Sequence, residues 1–81
     1  MVGPLHEGMY VGHCLAGDDL HEAVMTLAQA REWAKANPLC QGFTFQHRSR
    51  APEEPVRMWF KCRMRVLHSD GWWSYSMGRG I

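Results

Sequence analysis

The residues of this chain whose types could carry chemistry are three cysteines, five histidines and one adjacent pair of aspartates. Cys14 beside His13 is the best nucleophile-and-base combination, because a thiol needs a neighbouring base to become the reactive thiolate. On extended chain, however, successive side chains point to opposite faces, and nothing nearby marks an oxyanion site. An inert or disulfide-bonded cysteine is the simpler reading, so no catalytic residue is assigned and a non-enzymatic protein is expected. A zinc site would have to gather Cys14, Cys40 and Cys62 with His13, His47 or His68 from distant segments, since no CxxC spacing occurs. Asp18 and Asp19 stand in Gly17-Asp18-Asp19-Leu20, where carboxylates bonding nearby amides make a turn; the further acids at regular spacing that a cation site would need are missing. Neither a metal nor a cofactor is expected.

Binding chemistry is better represented. Residues 56–66 alternate along their whole length, with Arg57, Trp59, Lys61, Arg63 and Arg65 on one face and Val56, Met58, Phe60, Cys62, Met64 and Val66 on the other. Cations around a stacking ring suit an anionic or single-stranded nucleic-acid partner. Residues 1–40 carry two cations against five acids, a net of −3, and residues 41–81 carry seven against three, a net of +4. Oppositely charged halves of one small domain can also neutralise each other across its surface, and that is the preferred reading. Exposed members of Trp59, Trp72, Trp73 and Tyr75 would offer flat apolar area with polar edges, as recognition surfaces do. A domain of this size must bury most of its aromatic residues, so one or two of those four should remain available. The candidate ligand-binding residues are therefore Arg57, Trp59, Lys61, Arg63, Arg65, Trp73 and Tyr75. Protein or glycan is the expected partner, a structural subunit of a multi-protein assembly, with copies of itself or in a larger complex, is the second option, and nucleic acid is the weakest because no RNA-binding motif accompanies the charge.

These residues must be positioned by one small domain. Eighty-one residues leave no room for a second core, and 46% hydrophobic with 21% charged residues suits a folded chain. No apolar run approaches the roughly 18 residues that span a bilayer, so no membrane insertion is expected. The opening Met1-Val2-Gly3-Pro4-Leu5-His6-Glu7 does not read as a signal peptide, and the compartment stays open. Met9-Tyr10-Val11 between glycines predicts a short strand. Thr26 with Gln29 forms a capping box and Pro38 marks the stop, predicting a helix over 27–36 with Leu27, Ala30, Trp33 and Ala34 on its buried stripe. Trp33 should anchor it to a sheet. Residues 40–46 predict a strand with Phe43 and Phe45 on one face, 47–55 an exposed loop, 68–71 a turn, and 72–77 a last strand with Trp72 and Ser74 opposite Trp73 and Tyr75. If the strands around the loop pair with Phe45 opposite Arg57, then Cys40 stands opposite Cys62, and a Cys40–Cys62 disulfide becomes possible. A one-residue slip would remove that relation. Cys14–Cys40 is the second candidate pair.

The order of elements and several strings resemble the PAN/apple-like domain superfamily: Gly17-Asp18-Asp19-Leu20, a helix ending in Asn37-Pro38-Leu39-Cys40, then Gly42-Phe43-Thr44-Phe45, Trp59-Phe60-Lys61 and Gly71-Trp72-Trp73-Ser74-Tyr75. The likeness spans residues 10–78 of a single domain covering 1–81. It implies an α+β fold with a single helix packed on a curved antiparallel β-sheet, an extracellular or surface setting, and binding of proteins or carbohydrates. Members commonly tie the helix to the sheet through a helix cysteine, whereas this helix carries Ala30, Trp33 and Ala34, leaving Trp33 to hold it. The resemblance names no ligand-binding residues.

Overall fold

A computed structural model describes residues 6–79. One helix packs on an antiparallel sheet, the α+β architecture that the sequence predicts. The elements run β1 (Gly8–Val11), β2 (His13–Cys14), β3 (Asp19–Met25), α1 (Leu27–Ala36), β4 (Gly42–Gln46), β5 (Val56–Lys61), β6 (Val66–Leu67) and β7 (Trp72–Ser76). Five strands form one sheet in the order β1-β7-β4-β5-β3, and β2 pairs with β6 in a separate two-stranded ribbon.

The helix occupies the predicted residues, and its ends show why. Thr26 Oγ1 accepts the Gln29 N–H at 3.2 Å and Gln29 Oε1 accepts the Thr26 N–H at 2.9 Å, a reciprocal cap worth about 1 kcal/mol. At the other end Asn37 Nδ2 donates to Trp33 O at 2.6 Å. The last turn also has a long-range partner that the sequence does not reveal. Arg79 donates to the carbonyls of Ala34 (2.9 Å), Lys35 (3.0 Å), Asn37 (2.7 Å) and Cys40 (2.8 Å). A cation thus satisfies the orphaned carbonyls at the negative end of the helix dipole and ties the chain's last described residue to α1.

Ala30 and Ala34 are fully buried, letting α1 approach Phe43, Phe45, Met58 and Phe60 closely, while Leu27 and Trp33 flank that contact half-buried. Trp33 packs on Phe60 with ring centroids 4.4 Å apart and stacks on His21 at 4.8 Å. On β4, Phe43 pairs with Phe60 of β5 and with Tyr75 of β7. Gly42 is required here: a side chain at this position would run into the Tyr75 carbonyl and the Met64 thioether.

Three expectations need correction. The register of β4 against β5 pairs Gly42 with Lys61, Phe43 with Phe60 and Thr44 with Trp59, one residue away from a Phe45–Arg57 pairing. Directly opposite residues of an antiparallel pair share a face, so Phe45 opposite Arg57 would have put a core phenylalanine beside a solvent cation. The observed register keeps all the core residues on one side. Cys40 and Cys62 consequently do not stand opposite each other, the Cys40–Cys62 bridge is not formed, and Cys14, Cys40 and Cys62 are free thiols.

Second, the strand of residues 56–66 stops at Lys61. The chain bends at Cys62 and Arg63 and re-enters strand geometry at Val66, now paired with Cys14. Third, Asp19–Met25, expected only as a turn at its start, is a seven-residue strand on the sheet edge. The turn survives at Gly17 and Asp18, whose φ angles are 94° and 60°.

Candidate functional site

The sheet has two unequal faces. The helix covers one. The other carries Thr44, Trp59, Lys61, Trp72 and Ser74, and the β2–β6 ribbon covers only part of it. Cys14 N–H donates to Thr44 Oγ1 at 3.4 Å, Thr44 and Ser74 hydroxyls lie 2.9 Å apart, and Ser74 donates to Gly12 O at 2.8 Å. This polar seam seats the ribbon and accounts for the buried hydroxyls of Thr44 and Ser74.

The seven candidate binding residues do not form one site. Arg57, Trp59 and Lys61 share the face away from the helix, as alternation requires. Arg63 and Arg65 leave that row because β5 has ended. Trp73 and Tyr75 lie on the helix side, paired with Phe45 and Phe43. Trp73 donates its indole N–H to His47 O at 3.0 Å, and Tyr75, 8% exposed, donates its hydroxyl to Glu7 Oε2 at 2.8 Å. Both serve the core. Burial, with the Glu7 bond second, pushes the Tyr75 hydroxyl above its ordinary pKa.

The cations are answered from within the chain. Arg57 meets Glu22 at 2.6 Å, Lys61 meets Asp19 at 2.6 Å, and Arg65 lies 3.9 Å from Asp18. Lys61 is the least expected of these, with its side chain only 4% exposed and its ammonium also donating to Leu15 O (3.1 Å) and Gly17 O (3.0 Å). It therefore staples the Gly17–Asp18 turn to the sheet rather than presenting charge to solvent. Asp18 and Asp19, the acids of that turn, supply the counter-charge, so the oppositely charged halves do neutralise each other. Arg63 remains exposed.

What the open part of the face does present is a pair of indoles. Trp59 and Trp72, on strands either side of β4, reach towards each other with ring centroids 5.7 Å apart and planes inclined at 41°, and both are half-exposed. His13 tilts against Trp72, with ring centroids 5.8 Å apart and planes inclined at 58°. Gln46, the register partner of Trp72, is exposed beside them, and the Arg57–Glu22 pair closes the rim. Two of the four aromatic candidates are thus available, at the upper end of the expected number.

The nucleophile-and-base pair of neighbours is not assembled. His13 turns to Trp72, while Cys14 Sγ lies 3.6 Å from Ser74 Oγ and 3.7 Å from Met64 Sδ. Burial pushes the thiols of Cys14 and Cys40 above the ordinary range, which keeps them protonated and unreactive. Cys62 is half-exposed. A brief iodoacetamide pulse on the native protein should label Cys62 first and leave Cys14 and Cys40 protected, as read by peptide mass spectrometry. Labelling of Cys14 or Cys40 at the rate of Cys62 would contradict their burial. Among the described residues no cluster of His, Cys, Asp and Glu could hold a metal ion, and no helix is long and apolar enough to cross a membrane. Comparison of the chain with protein-family models, with curated proteins and with solved structures finds no match.

Proposed function

We propose that the chain is a non-catalytic binding module of the PAN/apple-like kind, which holds a glycan against the Trp59–Trp72 platform. The observation that carries this reading is the tilted, half-exposed indole pair on a rigid sheet. A sugar ring has an apolar C–H face and a polar hydroxyl edge. The indoles match the first with flat, low-entropy area, and Gln46 with the Arg57–Glu22 pair matches the second with donors and acceptors. Because Arg57, Lys61 and Arg65 already have acidic partners, a neutral sugar fits better than a sulfated glycan or a nucleic acid. An extracellular or cell-surface setting belongs to the same reading, which draws on the resemblance of the sequence to PAN/apple-like domains.

Glycan-array screening followed by calorimetric titration of the best hit tests the proposal. Trp59→Ala and Trp72→Ala should each weaken binding by about tenfold, the equivalent of one lost aromatic stacking contact. Arg63→Gln should leave it unchanged. Full binding by a Trp59→Ala/Trp72→Ala variant would sink the platform.

A further inference from the structure

On the helix side of the sheet, away from the indole platform, lies a cavity of about 630 Å³. That is the size of a small-molecule pocket. One stripe of α1 lines it, where Ala28, Arg31 and Lys35 recur at intervals of three and four residues. Tyr75 and Met77 come to it from β7 and the residue after, and Glu7 from the lead into β1.

The cations here are treated differently from those of the open face. Arg57, Lys61 and Arg65 each meet an acid. Among the described residues no carboxylate lies within ion-pair distance of Arg31, Lys35 or Arg79, which all line the cavity. Arg31 lies over the Tyr75 ring, its guanidinium carbon 5.3 Å from the ring centre. Tyr75 is itself held in place, 8% exposed and bonded through its hydroxyl to Glu7. A guanidinium stacked on a fixed ring keeps its N–H edge free for a planar oxyanion. Arg79 spends its N–H groups on the last carbonyls around the end of α1. It thereby offsets the negative end of the helix dipole, which would otherwise repel an anion beside Lys35. Of the two carboxylates in the lining, Glu7 accepts the Tyr75 hydroxyl, and Glu32 sits on the ridge shared with the neighbouring apolar groove. Three cations against two carboxylates leave the lining with one positive charge.

From these observations we infer that the cavity is a second binding site, for a small molecule carrying a single carboxylate and an apolar tail. Arg31 takes the carboxylate through paired N–H···O bonds and Lys35 adds a point charge, while Ala28, Met77 and the Tyr75 ring receive the tail. The charge count selects a carboxylate over a phosphate ester, whose second negative charge would face Glu7 and Glu32 without compensation. The site lies on the other face of the sheet from Trp59 and Trp72 and shares no residue with them, so it stands whether or not the platform holds a glycan.

Titration of the ¹⁵N-labelled full chain with benzoate at constant ionic strength is the test, read from the arginine Nε–H and backbone signals. Saturable shifts centred on Arg31 and Lys35 are expected, with a dissociation constant in the millimolar range. Benzamide keeps the ring and lacks the charge, and inorganic phosphate has charge but no tail. Each should bind at least roughly tenfold more weakly than benzoate. Arg31→Gln, at an exposed position, should weaken benzoate by a similar factor while the signals remote from the cavity stay in place. Lys35→Gln, which leaves the Tyr75 stack intact, should weaken it in the same direction, and Trp59→Ala should not change it. Shifts that do not saturate, phosphate or benzamide bound as tightly as benzoate, or a benzoate affinity indifferent to both substitutions would overturn the inference.

Discussion

Lys61→Met lowers the stability of the domain by about 3 kcal/mol, although it replaces a charged side chain of a strand with an apolar one of similar length. Removing one partner of a buried ion pair costs roughly 3–5 kcal/mol. The lower end applies because Asp19 is 46% exposed and can be resolvated. The remaining cost falls on Leu15 O and Gly17 O, which lose the ammonium that bonds them, each worth about 1 kcal/mol or more when orphaned. For a domain of this size the change corresponds to a fall of roughly 12–24 °C in melting temperature. Arg63→Gln, at an exposed position without such partners, should stay within about 0.5 kcal/mol of the parent. Urea unfolding of the two variants side by side checks the difference. Equal stabilities would mean that Lys61 lies in solvent like its neighbour, and that the basic row is available to a ligand after all.

Phe60→Ala costs more, about 3–5 kcal/mol. Phe60 is fully buried and sits at the junction of three rings, with Trp33 at 4.4 Å, Phe43 at 5.5 Å and His21 at 5.8 Å. Truncation removes the surface on which Trp33 rests, so the helix loses its lateral support as well as the core its volume. Phe60→Leu, which preserves most of that volume, should cost about 1.5 kcal/mol or less. A Phe60→Ala variant as stable as Phe60→Leu would show that the core collapses around the site and that the aromatic junction is not specific.

The parts of the fold legible in the sequence are those where one local rule decides the outcome. Thr26, Gln29 and Pro38 bound α1 without tertiary help, and the alternation of Phe43, Phe45, Trp73 and Tyr75 places the helix-side face. β3 is illegible because Asp-Leu-His-Glu-Ala-Val-Met has weak strand propensity. It is held by pairing with β5 and by Arg57 and Lys61, contacts that span more than thirty residues. The end of β5 is hidden for the opposite reason, since Arg63 and Arg65 continue an alternation that the backbone does not follow. The strand register, by contrast, is readable in principle. Core residues at odd positions on β4 and even positions on β5 require pairs whose numbers sum to an odd value, which rules out Phe45 opposite Arg57. Of the candidate site, Trp59 is marked by its place on the alternating strand, but its proximity to Trp72 depends on the order β7-β4-β5 and no local pattern encodes it. Lys61 is misread from the sequence because a buried lysine looks the same there as an exposed one.

The most direct measurement of the binding account uses the four indole N–H signals, which report separately on four environments in a single ¹H–¹⁵N spectrum. Trp59 and Trp72 form the platform on the open face, while Trp33 packs on Phe60 and the part-buried Trp73 donates its indole N–H to His47 O, both on the helix side of the sheet. Titration with a neutral oligosaccharide selected on the array, at a protein concentration where the chain is monomeric, should shift the Trp59 and Trp72 signals and leave those of Trp33 and Trp73 in place. A response confined to Trp33 or Trp73, or spread equally over all four, would contradict a glycan site on the open face of the sheet.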